Sequence, residues 1–380
     1  MITAQGSTRQ NMVTLSQVLG ANDAHEQAIK AIQDYLTKLA DKVQWRDHLL
    51  LAQVFEQADK TAEADAAFTK AIALEKPEGT FGASLAQAQA LMGRGKTAEA
   101  AAIFEDLAKQ FPDNHAIKQQ AAELHLRLGN FDKAEAFASS LPDSAQRYQL
   151  LIQSASAQEG KFGVAIKRAQ QGVGAYPSDF GLRLSLVELL RTEQDRKAQD
   201  QRVYSKLLSM AKALAKDHPD RVEAKVVLAD VLLRMDRLAQ ATTTLEEALE
   251  LAPRHLATNE RLFGIRLREA RGLAPNDVEA SREKAREALA IISILLENRP
   301  NVPVLLRSGG QAAQLAGLTA VAVDYYAKTF EATQEASDLA AYATALLAAG
   351  RGAQARAALE GDNATLVSNS LFLRALRGRA

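Results

Sequence analysis

The 380-residue sequence contains no cysteine, which excludes disulfides, zinc–thiolate sites and cysteine nucleophiles. Aromatic residues are scarce at 5%, and the 47% of hydrophobic residues is dominated by alanine and leucine. Small residues of high helix propensity favour closely packed helices over sheets. Neither charge sign is in excess, because 46 Lys and Arg balance 46 Asp and Glu. The basic excess that is typical of nucleic-acid-binding proteins is therefore missing, and we expect no nucleic-acid partner.

The sequence also lacks long apolar runs and a secretory leader. No run approaches the roughly 18 apolar residues of a transmembrane helix, and residues 1–22 have neither a basic start nor an apolar core. We therefore expect no direct membrane insertion and a cytoplasmic location. A periplasmic location stays open if the chain is part of a longer protein, since the sequence does not show whether Met1 is the natural start.

Motifs for catalysis or metal binding are incomplete. Gly95-Lys96-Thr97 matches the end of a phosphate-binding loop, but Ala90 replaces the required first glycine and no strand leads into it. The six histidines are scattered, and neither a His-Glu-x-x-His pair nor a Gly-x-Ser-x-Gly elbow occurs. We expect no catalytic residue, no cofactor and no metal site, and hence no enzyme.

What the sequence does contain is a repeat. Each of six prolines, spaced by about 34 residues, closes a segment with helical periodicity, and such recurrence predicts stacked helix pairs: Pro77, Pro112, Pro142, Pro177, Pro219 and Pro253. Between the two helices of a pair stands a residue that tolerates positive φ, which would end the first helix. These residues are Gly95, Gly129, Gly160, Gly317 and Gly350, with Asp59 and Asp236 in the same position.

This pattern resembles the tetratricopeptide repeat, and the best single match comprises Leu228, Ala229, Leu232, Ala241, Leu245, Ala248 and Pro253. The resemblance implies an all-α superhelical solenoid of stacked antiparallel helix hairpins. It also implies a non-catalytic scaffold that binds a peptide or protein partner in a concave groove lined by first helices. Bacterial members rich in alanine and leucine often serve envelope, secretion or polysaccharide-export assemblies, which is an expectation by analogy alone.

Carrying the family's groove positions onto this sequence gives a set of predicted groove residues. They mix apolar, amide and charged side chains, which suits an extended peptide. The set is Arg46, Leu49, Gln53, Leu85, Gln89, Met92, Gln119, Glu123, Arg147, Leu150, Leu184, Glu188, Arg191, Val226, Asp230, Arg307 and Gln311. The Lys and Asn clamp by which some members hold chaperone tails is not matched, so that role is not expected.

Two repeats are elongated. The first insertion, near Thr192–Gln201, is expected to extend both of its helices by a turn. The second, around Arg271–Ala280, carries Gly272, Pro275 and Asn276, which predict a loop before a new helix start. These insertions are the expected distinctive feature of the array, and a pocket formed by them is the one way in which an enzyme stays open as an alternative.

The predicted domain organisation is one array with two ends. Residues 1–22 are predicted to form a tail and a short helix, 23–361 the superhelical array, and 362–380 a capping helix. Residues 1 to about 10 are expected to be disordered. Docking of worn end units with a second copy would make a self-assembling structural protein, so a homo-oligomer stays open.

Overall fold

The computed structural model describes residues 8–75 and 79–380. Residues 1–7 of the predicted tail, and Pro77, lie outside the described residues. Within the described ranges the chain forms 22 α-helices and three short 3-10 turns, and it contains no strand. The predicted all-α repeat solenoid is confirmed. Helix α1 begins at Arg9, so the expected disorder up to about residue 10 was wrong for Arg9 and Gln10.

The chain divides into two compact units, Met1–Leu186 and Val187–Ala380, and the division falls within a helix. The helices up to that division are α1 (Arg9–Gly20), α2 (His25–Leu39), α3 (Trp45–Gln57), α4 (Thr61–Glu75), α5 (Gly82–Gly93), α6 (Thr97–Gln110), α7 (His115–Arg127), α8 (Phe131–Ser139), α9 (Ala145–Ser156), α10 (Phe162–Ala175) and α11 (Phe180–Asp195). The domain bounds drawn from the sequence stay a prediction.

The second unit continues with α12 (Ser205–Asp217), α13 (Val222–Arg234), α14 (Leu238–Leu251), α15 (Leu256–Leu273), α16 (Val278–Asn298), α17 (Pro303–Leu315), α18 (Thr319–Thr333), α19 (Ala336–Ala348), α20 (Gly352–Ala358), α21 (Ala364–Ser368) and α22 (Leu371–Arg377). From α3 to α20, each odd-numbered helix is the first of a pair and the next even-numbered helix is the second. None of the described helices is long and apolar enough to cross a lipid bilayer.

The turn inside a pair has one recurring backbone conformation. Gly95 has φ +75°, and Asp59 and Asp236 have φ +55° and +57° in the equivalent position. The amide of the following residue then donates back into the first helix, as Lys96 N does to Leu91 O at 2.8 Å. The same left-handed conformation occurs at Gly129, Gly160, Gly317 and Gly350, so the predicted role of all seven residues is confirmed.

The core of each pair follows from two positions counted from that turn. Five residues after the positive-φ residue, the second helix carries an alanine that is at most 1% exposed, which lets the two helices approach closely. These alanines are Ala64, Ala100, Ala134, Ala165, Ala241, Ala322 and Ala355. One turn further on lie larger buried side chains such as Phe68, Phe104 and Leu245. Each of these stabilises the fold by about 1.5–3 kcal/mol through removal from water.

The first insertion lengthens only one helix. Helix α11 has 16 residues, whereas α12 has 13, so the expected extension of both helices was wrong for α12. Residues 196–204 instead form a connection that contains a 3-10 turn at Gln199–Gln201. Asp195, which precedes this connection, binds its far end. Its carbonyl oxygen accepts from Arg202 at 3.0 Å, and its carboxylate accepts from the Tyr204 hydroxyl at 3.0 Å.

The second insertion lies mostly in helices. Helices α15 and α16 have 18 and 21 residues, and Gly272 is still helical, so the expected loop shrinks to a tight turn over residues 274–277. The predicted new helix start is confirmed at Asp277, whose carboxylate accepts from Ala280 N at 3.0 Å. A longer pair buries more apolar surface, which compensates for the extra residues that are ordered.

The segment predicted to form one capping helix contains α21 and α22, which are separated at Asn369 and Ser370. Leu373 and Leu376 of α22 are buried against the preceding helices, whereas Leu371 and Phe372 are 79% and 59% exposed.

Candidate partner-binding surface

First helices form the inner face of the stack within each unit. Successive first helices contact one another directly, as α3 does with α5 and α7 with α9 in the first unit, and α15 with α17 in the second. A stack of hairpins curves toward the side on which successive helices lie closest. The predicted groove residues all lie on first helices, and their place in a groove stays a prediction.

Counting back from the positive-φ turn shows that 11 of the 17 predicted groove residues form two rows. One row lies six residues before the turn and contains Gln53, Gln89, Glu123, Asp230 and Gln311. The other row lies ten residues before the turn and contains Leu49, Leu85, Gln119, Leu150, Val226 and Arg307. Positions four residues apart share one helix face, so the two rows run side by side within each unit.

The structure removes two of the predicted residues from any partner contact. Leu150 is 2% exposed and Val226 is 8% exposed, because both pack into the core between the helices. Assigning them to the groove was wrong, because the packing of neighbouring helices buries these two side chains although their repeat register is that of the half-buried Leu49 and Leu85. The predicted apolar residues Leu49, Leu85, Met92 and Leu184 stay half-buried, with part of each side chain at the surface.

In the first unit, several polar groove residues have no internal partner. Gln53 and Gln89 are exposed, and their side chains make no hydrogen bond or ion pair with any residue that the structure describes. Arg46 is also exposed and lies 4.3 Å from the centre of the Trp45 ring. The free side-chain amides can both donate and accept hydrogen bonds.

Two further residues of the first unit are engaged locally. Gln119 donates to Glu123 at 2.9 Å, and Arg147 contacts Asp143 at 3.2 Å. Both pairs are four residues apart on one helix or its cap, so they leave the surface polar and adaptable. Such exposed pairs contribute only about 0.2–1 kcal/mol and can exchange for contacts with a partner.

In the second unit, residues of the corresponding rows are engaged in ion pairs between successive first helices. Arg261 of α15 donates to both carboxylate oxygens of Asp230 on α13, at 2.5 and 2.8 Å. Arg307 of α17 pairs in the same two-pronged way with Asp338 of α19, at 2.8 and 2.7 Å. The Arg307 guanidinium, helped by the Thr333 hydroxyl, holds the pKa of Asp338 below its ordinary value. Charge-assisted pairs of this geometry brace neighbouring repeats.

Three more predicted residues lie on the inner side of the second unit. Arg191 contacts Asp195 at 3.3 Å, and Gln311 accepts a hydrogen bond from Arg271. Glu188 reaches solvent, but the surrounding helices displace enough of its water to raise the pKa of its carboxyl group. Arg191 and Arg261 lie close enough to oppose that shift. The inner side of this unit is therefore largely satisfied by its own side chains.

Cavities that the sequence did not predict lie on the other side, between second helices. Three cavities of about 440–460 Å³ are found between α2 and α4, between α6 and α8, and between α16 and α18. None of the predicted groove residues lines them. The one signal in the sequence is the short interval between Pro112 and Pro142, which indicates the short α8 beside the second cavity. Within the described ranges, no group of three or more His, Asp and Glu side chains is arranged to hold a metal ion.

The fold and these surfaces define a scaffold of stacked helix hairpins. Models of the tetratricopeptide repeat match residues 91–158, from the end of α5 to just past α9, and residues 222–255, which span α13 and α14. The chain therefore contains tetratricopeptide repeats in both of these segments. Proteins of this family generally act as non-catalytic scaffolds for protein–protein interaction, which is the class of function that the repeats support here. No curated protein sequence matches the chain.

Several solved structures are similar to this chain. A thermophilic tetratricopeptide repeat protein of Thermus thermophilus is 23% identical with a TM-score of 0.36, and the match covers 47% of this chain and 94% of that one. A tetratricopeptide repeat protein from Parabacteroides merdae is 15% identical with a TM-score of 0.42, covering 70% and 97%. The Cut9–Hcn1 complex is 13% identical with a TM-score of 0.42, covering 97% and 75%.

Proposed function

We propose that the chain is a non-catalytic scaffold whose first unit binds an extended peptide segment of a protein partner on its inner face. The observation that carries this proposal is the pair of unpartnered amides, Gln53 and Gln89, in the same position of successive repeats. Half-buried Leu49 and Leu85 lie one turn away on the same helix faces. Together these side chains offer hydrogen bonds and shallow apolar contacts at regular intervals.

The spacing of this row suits an extended chain. Packed helices lie about 8–10 Å apart, and a strand rises about 3.3 Å per residue. Successive amides of the row can therefore address about every third residue of a bound peptide. A side-chain amide donates to a peptide carbonyl and accepts from a peptide N–H, so the amide row binds the peptide backbone whatever its sequence. The neighbouring leucines select apolar side chains of the peptide.

The second unit has a different part in the proposal. Its ion pairs Asp230–Arg261 and Arg307–Asp338 already satisfy the equivalent positions, so we assign it to stiffening of the array. By analogy with bacterial tetratricopeptide repeat proteins rich in alanine and leucine, we place the scaffold in an envelope, secretion or polysaccharide-export assembly, which makes an envelope protein the expected kind of partner.

The proposal is tested by site-specific photocrosslinking in extracts of the source cells. p-Benzoylphenylalanine is placed at Gln89 on α5 or, as the control, at the exposed Ala102 on the second helix α6. We expect a discrete crosslinked partner from the Gln89 position only, identified by mass spectrometry. Equal crosslinking from both positions, or from neither, would contradict inner-face binding.

The affinity of the chain for the identified partner then measures the contribution of the two side-chain amides. The double variant Gln53→Ala with Gln89→Ala is expected to weaken binding about tenfold, because it removes two net hydrogen bonds of about 0.5–1.5 kcal/mol each. The matched control is Gln170→Ala with Gln171→Ala, two exposed amides on α10. An affinity that stays within twofold of the control would reject the assigned role of the row.

A further inference from the structure

The cavity between α6 and α8 has the features of a second binding site, on the side opposite to the inner face. It encloses about 460 Å³ above the start of α7. Its walls are mainly apolar and its rim is charged. The walls are Ala108, Pro112, Ala136, Phe137 and Ser140, and the rim residues are Glu105, Lys109, Lys118 and Lys133.

The cavity lies beside the shortest second helix of the first unit. Helix α8 has 9 residues, whereas the neighbouring second helices α6 and α10 each have 14. The chain leaves α8 at Ser140 and meets Pro142, which cannot continue a helix, so the last turns of α6 are left without a covering helix.

The floor of the cavity rests on a buried imidazole. The Phe137 ring stacks on the imidazole of His125, with centroids 5.8 Å apart and an angle of 4° between the planes. His125 is 1% exposed, and its Nε2 lies 2.9 Å from a Glu105 carboxylate oxygen. A ring held from below in this way presents a preformed apolar surface, which lowers the entropic cost of binding.

The rim favours a negatively charged ligand. Glu105 is already engaged by Lys133 at 2.6 Å, and this contact holds the pKa of its carboxyl group below the ordinary value. Lys109 contacts Asp106 at 2.9 Å, but both side chains are exposed. Lys118 forms no ion pair with any residue of the described ranges. Three lysines against these two carboxylates leave the rim with a net positive charge.

We infer that this cavity binds an acidic peptide segment of a protein partner, which inserts one large apolar side chain and places Asp or Glu residues beside Lys118 and Lys109. The apolar walls match the inserted side chain, and the lysines match the flanking carboxylates. This site lies between the second helices α6 and α8, with Lys118 contributed by α7, and it shares no residue with the amide row on the inner face. A scaffold with both sites could hold two segments at once.

The probe is a seven-residue peptide with 4-fluorophenylalanine at its centre and Asp or Glu at each of the six remaining positions. Binding to the full chain is followed by fluorine NMR, which detects weak complexes. We expect saturable binding that weakens as sodium chloride is raised. Replacing the central residue by serine, or the acidic residues by lysine, is expected to abolish it.

Three variants locate the site. Ala136→Trp fills the cavity from the cavity-lining side of α8 and is expected to weaken binding at least about tenfold. Lys118→Glu reverses the unpaired charge and is expected to weaken binding about threefold. The control Ala102→Trp adds the same side chain to an exposed position of α6 outside the cavity, and binding should stay within twofold.

Two results would show that the cavity is not a peptide-binding site. No saturable binding of the acidic peptide, or equal binding by Ala136→Trp and Ala102→Trp, would overturn the inference. Octanoate serves as a competing amphiphile, and a site that binds octanoate but not the peptide would also overturn it in favour of a small ligand. If Ala136→Trp loses its helical circular dichroism, the test relies on the other measurements. Unchanged peptide binding by Lys118→Glu, or binding of the two control peptides, would then overturn the inference.

Discussion

At the scale of single residues, the repeat depends on one backbone conformation between its helices. A glycine has no Cβ to clash in the left-handed region, whereas another L-residue there costs about 1–2 kcal/mol. Asp59 and Asp236 accept that conformation in two repeats, in line with the tolerance of aspartate for it. Glycine and aspartate are therefore interchangeable signals at this position, and both could be identified from the sequence.

The variant Gly350→Ala tests this cost directly. A Cβ at Gly350 would meet no atom within 4 Å, so any loss of stability comes from the φ of +71° and not from a clash. We expect the free energy of unfolding to fall by about 1–2 kcal/mol, measured by urea denaturation. The matched control is Gly264→Ala in the interior of α15, where a Cβ also meets nothing and φ is helical. That control should gain about 0.5–1 kcal/mol, and equal effects at both sites would contradict the explanation.

At the scale of helices, lengths and pairings decide what the surface offers. The sequence predicted where most helices lie, because period-3.6 apolar patterns and turn residues are local signals. It did not predict the 9-residue α8 or the unextended, 13-residue α12, because helix ends depend on which neighbouring helix covers them. The cavity beside α8 was missed for the same reason.

Helix α7 is tied to its neighbours through a buried imidazole whose protonation the fold opposes. Burial lowers the pKa of His125 below the value of 6.5 that it has in the unfolded chain, and nearby Lys133 acts in the same direction while Glu105 opposes it. Below about pH 6.5 the unfolded state therefore binds a proton that the folded state does not. Stability is complete above this pH and falls as the pH drops toward the folded pKa.

We expect this residue to contribute a slope of up to about 1.4 kcal/mol per pH unit to the free energy of unfolding below about pH 6.5. His125→Leu should remove that slope whatever its effect on stability near neutral pH. Urea denaturation of both proteins at about pH 7.5, 6.0 and 5.0 gives the comparison. His48, whose pKa burial also lowers, is present in both proteins and cancels in the difference. Parallel pH curves would show that His125 is not the group responsible.

At the scale of the whole molecule, the area of exposed apolar surface bears on whether the protein binds other proteins or a second copy of itself. In the described part of the chain, Leu371 and Phe372 form a pair of adjacent, strongly exposed large apolar residues. Stable interfaces between protein copies bury about 1,200–2,000 Å², which two side chains cannot supply. These two side chains are therefore too small a surface to form such an interface on their own.

Multi-angle light scattering across a hundredfold range of micromolar concentration is expected to give a constant mass close to 41.1 kDa. The variant Leu371→Ser with Phe372→Ser should give the same result. A mass that rises with concentration in the original protein and not in this variant would support self-assembly instead.

The inner-face site shows how far prediction from sequence could go. The repeat register placed Gln53 and Gln89 correctly on exposed surfaces of first helices, because register follows from local spacing. It placed Leu150 and Val226 there too, although the structure buries both in the core. Side chains at the edge between core and surface change environment with small rotations of a helix, which spacing along the chain does not encode.

The sequence by itself determined the all-α class, the paired helices and the turns, since these depend on contacts within one helix pair and on backbone preferences. Only the tertiary structure decided which polar side chains are left for a partner. Asp230 and Arg261, or Arg307 and Asp338, are far apart in sequence and meet because successive first helices pack side by side. Gln53 and Gln89 occupy equivalent positions and stay unpaired, and no property of a single repeat distinguishes the two cases.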